Sequence, residues 1–140
     1  MEVFELKHRG NSITIYNIQY SDAESKSGNS YNTRFSIKVV SNAAYELFSG
    51  IGFCEYDMKE LILFARHIEE LYDFSRSRAK FHDICYGSWI DFEMGKLGHL
   101  HIKGKIYGLG MVHNLEFEFS ADQSSLGGFM DSLKKLYKYQ

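Results

Sequence analysis

His99 and His101 stand two apart in the stretch GHLHIKG, Gly98 to Gly104. The surrounding residues alternate apolar with polar as a strand does, and side chains two apart on a strand share a face. Two imidazoles on one face are half of a divalent metal site, or else part of a polar stripe. What faces them decides between these readings. The segment YGLGM, Tyr107 to Met111, reads as a two-residue hairpin of type II′ with Gly108 and Leu109 at its centre. That turn sets Tyr107 opposite Gly110. Carried back, the register sets His101 opposite Glu116, His99 opposite Glu118, Leu100 opposite Phe117 and Ile102 opposite Leu115. His113 then faces Gly104 near the turn, on the other face.

Polar residues share one face in this register and apolar residues the other. A slip of one residue would bury charge against Phe117 and Phe119, which disfavours it, whereas a slip of two keeps the faces apart. His99, His101, Glu116 and Glu118 together could hold a metal. The competing reading, a ladder of cross-strand pairs worth ~0.2–1 kcal/mol each, is preferred. No metal or cofactor is therefore expected, and the four-residue set remains the alternative.

Other chemical candidates are weaker. His82, Asp83 and Cys85 have the residue types of a cysteine nucleophile, but such groups converge from separate segments, not from neighbours in sequence. Cys85 reads better as a small buried residue. SGIGF and YGLG lack the full phosphate-loop pattern, and HIEEL lacks the second histidine of a zinc helix. Trp89 could anchor a partner, with core packing the preferred reading. Asp122 suits a helix cap better than a catalytic acid. Arg76, Arg78 and Lys80 form a short basic cluster, read as a solvated loop.

Several elements must position these residues. Val3 to His8 and Ser12 to Tyr20 are expected as strands around the turn RGNS. Ser21 to Asn32 is the longest polar stretch and reads as a mobile loop. Phe35, Ile37 and Val39 alternate with polar residues in a half-buried strand. A further strand is expected in AYELFSGIGFC, with a bend or bulge at Gly50 and Gly52. Asp57 and Glu60 are spaced as a capping box ahead of a helix that buries Met58, Leu61, Ile62, Ala65, Ile68 and Tyr72; Leu63 falls on its polar side. SWIDFEM, GHLHIKGKIY and MVHNLEFEFSA are three strands in a row. A final helix buries Leu126, Phe129, Met130, Leu133, Leu136 and Tyr137. Gly127 and Gly128 weaken its first turn by roughly 1 kcal/mol each, so its start could slip.

The predicted fold is thus α+β, a single domain over residues 1–140. A mainly antiparallel sheet carries two amphipathic helices, one mid-chain and one C-terminal. The composition is consistent with this: 44% hydrophobic and 24% charged among 140 residues is ordinary for a globular domain. Proline is absent, where average usage would give roughly seven, so Gly, Asn, Asp and Ser must make the turns. A net charge of −2 gives no basic excess for nucleic acid. No apolar run approaches the ~20 residues that span a bilayer, and no signal peptide is visible. Two cysteines without export signals are expected as free thiols in the cytoplasm.

The last third of the chain resembles a known family. LGHLHIKGKIY followed by NLEFEFSADQSSLGGFMDSL is similar to the C-terminal half of the WapI-like immunity proteins. The shared pattern is Gly98-His99, Gly104, Leu115-Glu116-Phe117, Asp122-Gln123 and Leu126. His101 and the Gly127-Gly128 pair depart from it. The resemblance implies a non-enzymatic cytoplasmic protein that binds and neutralises the toxic C-terminal domain of a contact-dependent or polymorphic toxin. It brings no catalytic residues. The exposed face with His99, His101, Lys103, Glu116 and Glu118 is one candidate contact surface for that toxin domain, and the Ser21–Asn32 loop is another. The alternatives are a small metal- or ligand-binding enzyme using the His/Glu face, and a structural protein-interaction module with an apolar patch around Leu63.

Overall fold

Three segments near the N-terminus bury every second side chain: Phe4 and Leu6, then Ile13 and Ile15, then Phe35, Ile37 and Val39. They become β1 (Val3–His8), β2 (Asn11–Tyr20) and β3 (Thr33–Ala43), and β4 (Glu46–Tyr56) follows. In the computed structural model, which describes residues 2–140, these four form one antiparallel sheet in the order β1-β2-β3-β4. Two-residue turns close its outer hairpins, since His8 pairs with Asn11 and Ala43 with Glu46. Ala44 and Tyr45, in the second turn, both adopt positive φ, 50° and 68°. Primed hairpin turns need that conformation.

The chain then makes α2 (Met58–Tyr72) and a second antiparallel sheet, ordered β5-β6-β7-β8. Its strands are β5 (Arg78–His82), β6 (Trp89–Met94), β7 (His99–Tyr107) and β8 (Asn114–Asp122). The fold is α+β as expected, with two four-stranded sheets in place of one. A short helix, α1 (Asp22–Lys26), lies between β2 and β3. The C-terminal helix is α3 (Gln123–Leu133), prolonged by a 3-10 segment over Lys134–Tyr139.

One core joins both sheets and both long helices. The Phe64 ring, on α2, lies 5.9 Å from Phe81 of β5, 5.7 Å from Phe92 of β6 and 6.5 Å from Phe129 of α3. Phe35 of β3 meets Phe81 across the sheets at 5.8 Å. Phe64 and Leu71 are buried beyond the helix face expected from sequence, because α2 contacts β5 on one side and α3 on another. Leu63 is 43% exposed, in line with its place on the polar side.

Gly50 and Gly52 do not mark a bulge, since β3 and β4 pair without a register shift from Thr33–Tyr56 to Ala43–Glu46. They let the sheets approach. A Cβ on Gly52 would lie 3.0 Å from Cβ of Ile106, and one on Gly50 3.2 Å from Cβ of Leu115. The bulge is in β2 instead, between Tyr16 and Gln19, with Asn17 at φ 57°.

Caps fix the helix starts. Asp57 accepts the Lys59 N–H at 3.0 Å, and Asp122 accepts the Ser125 N–H at 3.0 Å. Asp122 also takes the hydroxyls of Ser124 and Ser125, and these donors, Ser124 first, hold its carboxyl at about 2. The last helix therefore starts at Gln123, and Gly127 and Gly128 lie inside it without shifting its start.

The Ser21–Asn32 segment is an ordered turn of structure, not an open loop. Ser21 caps α1 through the Glu24 N–H. Asn29 accepts from the Tyr31 N–H and donates to Glu24. Asn32 ties the segment to α2, donating to Asp57 and accepting the Met58 N–H at 2.9 Å. Asparagine and serine supply these bonds, and the polar composition that suggests mobility is what provides them.

Candidate functional site

The outer face of the second sheet gathers most of the residues singled out from sequence, in a different register. Tyr107 pairs with Asn114, Ile102 with Phe119, His101 with Ser120 and His99 with Asp122. The expected II′ turn does not form. Gly108 to His113 make a longer loop, closed by the Gly108 N–H donating to the His113 carbonyl at 2.9 Å. The register therefore moves by four residues. His113 sits in the loop and does not face Gly104, which pairs with Phe117. Because the shift is even, the polar and apolar faces survive: Leu100, Ile102, Ile106, Phe117 and Phe119 are buried, and His99, His101, Lys103, Glu116 and Glu118 are exposed.

Three rows cross the sheet from β5 to β8. The first is His82, Trp89, Lys105, Glu116; the second Lys80, Asp91, Lys103, Glu118; the third Arg78, Glu93, His101, Ser120. Opposite charges alternate along the second row, the arrangement that cross-strand pairing favours. His101 Nε2 also reaches Glu118 Oε1 diagonally at 2.9 Å.

Asp91 anchors this face. It is only 5% exposed although it points outward. Arg78 grips it with both ends of its guanidinium, Nε to Oδ1 at 2.9 Å and Nη2 to Oδ2. A buried carboxylate needs such a partner. The Arg78 hydrogen bonds hold its carboxyl below the usual range, against the opposing effect of burial, with Lys80 and Lys103 adding to the depression. Arg78 and Lys80 thus belong to a strand, correcting the reading of a solvated loop.

Trp89 is a second correction. It is half-buried on the outer face, not in the core, since Ile90, Phe92 and Met94 occupy the inward positions of β6. The Lys80 ammonium lies 5.8 Å from the centre of its ring, and Lys105 lies 5.4 Å from that of Tyr107. Cation–π contact holds each lysine over an aromatic surface.

The four residues of the metal alternative are spread over the face: His99 meets Asp122, Glu116 meets Lys105, and only His101 and Glu118 touch. Among the described residues no group of three or more His, Cys, Asp and Glu side chains is near enough to hold a metal ion.

His82, Asp83 and Cys85 do not converge. His82 is exposed, while Asp83 is fully buried and accepts the N–H groups of Cys85 and Tyr86 at 3.0 and 3.3 Å. Burial pushes the Asp83 carboxyl up, against these donors. Cys85 is exposed, contrary to expectation, with Sγ 3.6 Å from Glu55. Cys54 is the buried cysteine, and burial first, then the Asp83 charge, pushes its thiol up. Asp83 acts as the knot of the β5–β6 loop: its N–H donates to Ser88 and its carbonyl accepts from Gly87, each at 2.8 Å.

Sequence reasoning missed Arg78, Lys80, Asp91 and Glu93 as members of this face. The signal was present in RAKFH and WIDFEM, where polar residues alternate with Ala79, Phe81, Ile90, Phe92 and Met94. Fold and face together define a two-sheet α+β protein with an uncovered, charge-patterned sheet surface. No family model and no curated protein matches the chain. Among the described residues no helix is long and apolar enough to cross a membrane.

Proposed function

We propose that the chain is an immunity-type protein, which acts without catalysis by binding the toxic C-terminal domain of a contact-dependent or polymorphic toxin and covering it. The observation that carries this reading is the outer face of β5–β8. It combines alternating charges, which give partner choice and fast encounter, with the half-buried Trp89, a residue type enriched at binding hot spots. A four-stranded sheet holds these groups in place before any partner arrives, so little ordering opposes association. The likeness of Gly98–Leu126 to the WapI-like immunity proteins supports the same reading and supplies the class of partner. Both cysteines are free thiols, which fits the cytoplasm, where such a protein would meet its toxin.

The test is co-expression with the C-terminal domain encoded by an adjoining toxin gene. Restored growth and a purified complex are the expected results. Trp89→Ala should weaken that complex by ~30-fold or more, the effect of a hot-spot truncation. Failure of the wild-type protein to bind the domain at micromolar concentration would end the pairing.

A further inference from the structure

The charges on the outer face of β5–β8 are used unevenly. Arg78 holds both carboxylate oxygens of Asp91, and His101 holds Glu118. Among the described residues Lys80, Lys103 and Lys105 close no ion pair. Carboxylates nevertheless lie beside each of them in the register. Asp91 stands between Lys80 and Lys103, Glu118 is opposite Lys103, and Glu116 is opposite Lys105. The first two of these carboxylates are engaged elsewhere. Lys105 lies over the Tyr107 ring, 5.4 Å from its centre, in place of closing on Glu116.

The three free ammonium groups surround one spot. Trp89 stands between His82 and Lys105 in its row, and in the next row along β6 Asp91 is flanked by Lys80 and Lys103. Neighbouring strands lie ~4.8 Å apart, so the α-carbons of Lys80 and Lys103 are about 10 Å apart. Flexible four-carbon stems can bring both ammonium groups to a common ligand across that gap. The Lys80 ammonium already lies 5.8 Å from the centre of the Trp89 ring. Lys80 and Lys103 are exposed, and Trp89 and Lys105 are half-buried. Arg78 and Asp91 neutralise each other as a pair. Three lysines therefore leave a local excess of positive charge around a half-buried indole, on a chain whose net charge is −2.

We propose that this centre receives an acidic segment of the partner protein, with carboxylates on the three ammonium groups and an apolar side chain against Trp89. This names the chemistry of the partner's contact segment, and it rests on the reading of this face as the toxin-binding surface. Charge complementarity selects an acidic segment over a basic one. Carboxylates suit the centre better than the phosphates of nucleic acid do. A phosphate chain carries a charge at every nucleotide and would run on over Glu93, Glu116 and Glu118, which share the face. A protein segment can place its carboxylates singly and turn away.

Trp89 is the one tryptophan of the chain, so tryptophan fluorescence reports on this centre directly. The probe is a capped peptide of four glutamates around one leucine, titrated into the intact protein at low salt. A saturable change with half-saturation at about 1 mM is expected of exposed ion pairs. It should weaken by about fivefold or more in about 0.5 M salt. Lys80→Gln combined with Lys103→Gln should weaken both the peptide and the toxin complex by about fivefold or more, with an unchanged circular dichroism spectrum. No saturation, equal binding of the peptide with glutamine for glutamate, undiminished binding of either ligand by the folded double variant, or tighter binding of an RNA of equal charge would each overturn the proposal. The peptide arm needs no toxin, so the toxin pairing and this centre can fail separately.

Discussion

Both sheets have four antiparallel strands and bury one face in the same core, yet their outer faces differ in chemistry. The outer face of β1–β4 runs in rows of Val3, Tyr16, Ser36, Phe53; Glu5, Thr14, Lys38, Ile51; and Lys7, Ser12, Val40, Ser49. Three of those twelve positions are charged. Eight of the corresponding twelve on β5–β8 are charged. Packing does not impose the difference, because every outward position on a strand is released from the core by the two-residue period. Surroundings do. A face made of hydroxyls, aromatics and branched chains resembles the centre of a protein interface, and one patterned with both signs of charge resembles a selective, wet one. The two sheets thus present solvent with different chemistry, the first mostly uncharged and the second mostly charged.

The strongest way to break this contrast is to disturb the platform of the second sheet. A Cβ on Gly104 would sit 2.5 Å from the Trp89 carbonyl oxygen and 2.8 Å from the Phe117 ring. The carbonyl belongs to backbone and cannot swing aside. Gly104→Ala should therefore destabilise by about 3 kcal/mol, the upper range of overpacking, measured by urea unfolding. A loss below about 1 kcal/mol would mean that β6 and β7 are not held so closely. On the first sheet, Gly52→Ala meets mainly the Ile106 side chain and should cost less.

A smaller effect of opposite sign belongs to the first sheet. Tyr45 stands fully exposed at φ 68° in the β3–β4 turn. A left-handed conformation is unfavourable for a side-chain-bearing residue by roughly 1–2 kcal/mol, and glycine escapes it. Tyr45→Gly should stabilise the hairpin by about 1 kcal/mol after glycine's greater chain entropy is subtracted, read as a rise in Tm. A drop would show that the tyrosine ring has a partner on that tip.

The smallest effect concerns pH. The carboxyl of Asp91 is depressed in the folded protein below its ordinary 3.8. Its contribution is fully present above that ordinary value and is lost as pH falls through the lower folded value. The difference in urea midpoint between wild type and Asp91→Asn should hold steady from neutral pH to about 5 and shrink below about 4. A difference unchanged in acid would remove Asp91 as the charged anchor of the face.

Most strands were legible because one face of each meets the core and the other meets solvent, which writes alternation into the sequence. β5 escaped notice because its five residues place Arg78, Lys80 and His82 around only Ala79 and Phe81, so charge masks the period. The division into two sheets was not legible, since alternation tells which way a side chain points and not which strand lies beside it. The β7–β8 pairing shows the same limit. The faces were right because parity survives an even shift, while the partners were wrong because the loop holds six residues, Gly108 to His113. Trp89 was misjudged on residue type, although its own strand puts Ile90, Phe92 and Met94 on the buried side. Asp91, buried from outside by an arginine that arrives from another strand, left no local trace.

The bulge at Asn17 has a consequence for comparing this chain with others. Before it, the odd-numbered residues Ile13 and Ile15 point inward; after it, the even-numbered Ile18 and Tyr20 pack against the core. Asn17 works as a shift of reading frame within one strand. A relative lacking that residue would keep the same core only with a gap at this position, and aligning the two without the gap would set Gln19 against an inward-facing apolar residue and make a shared core look like a mismatch.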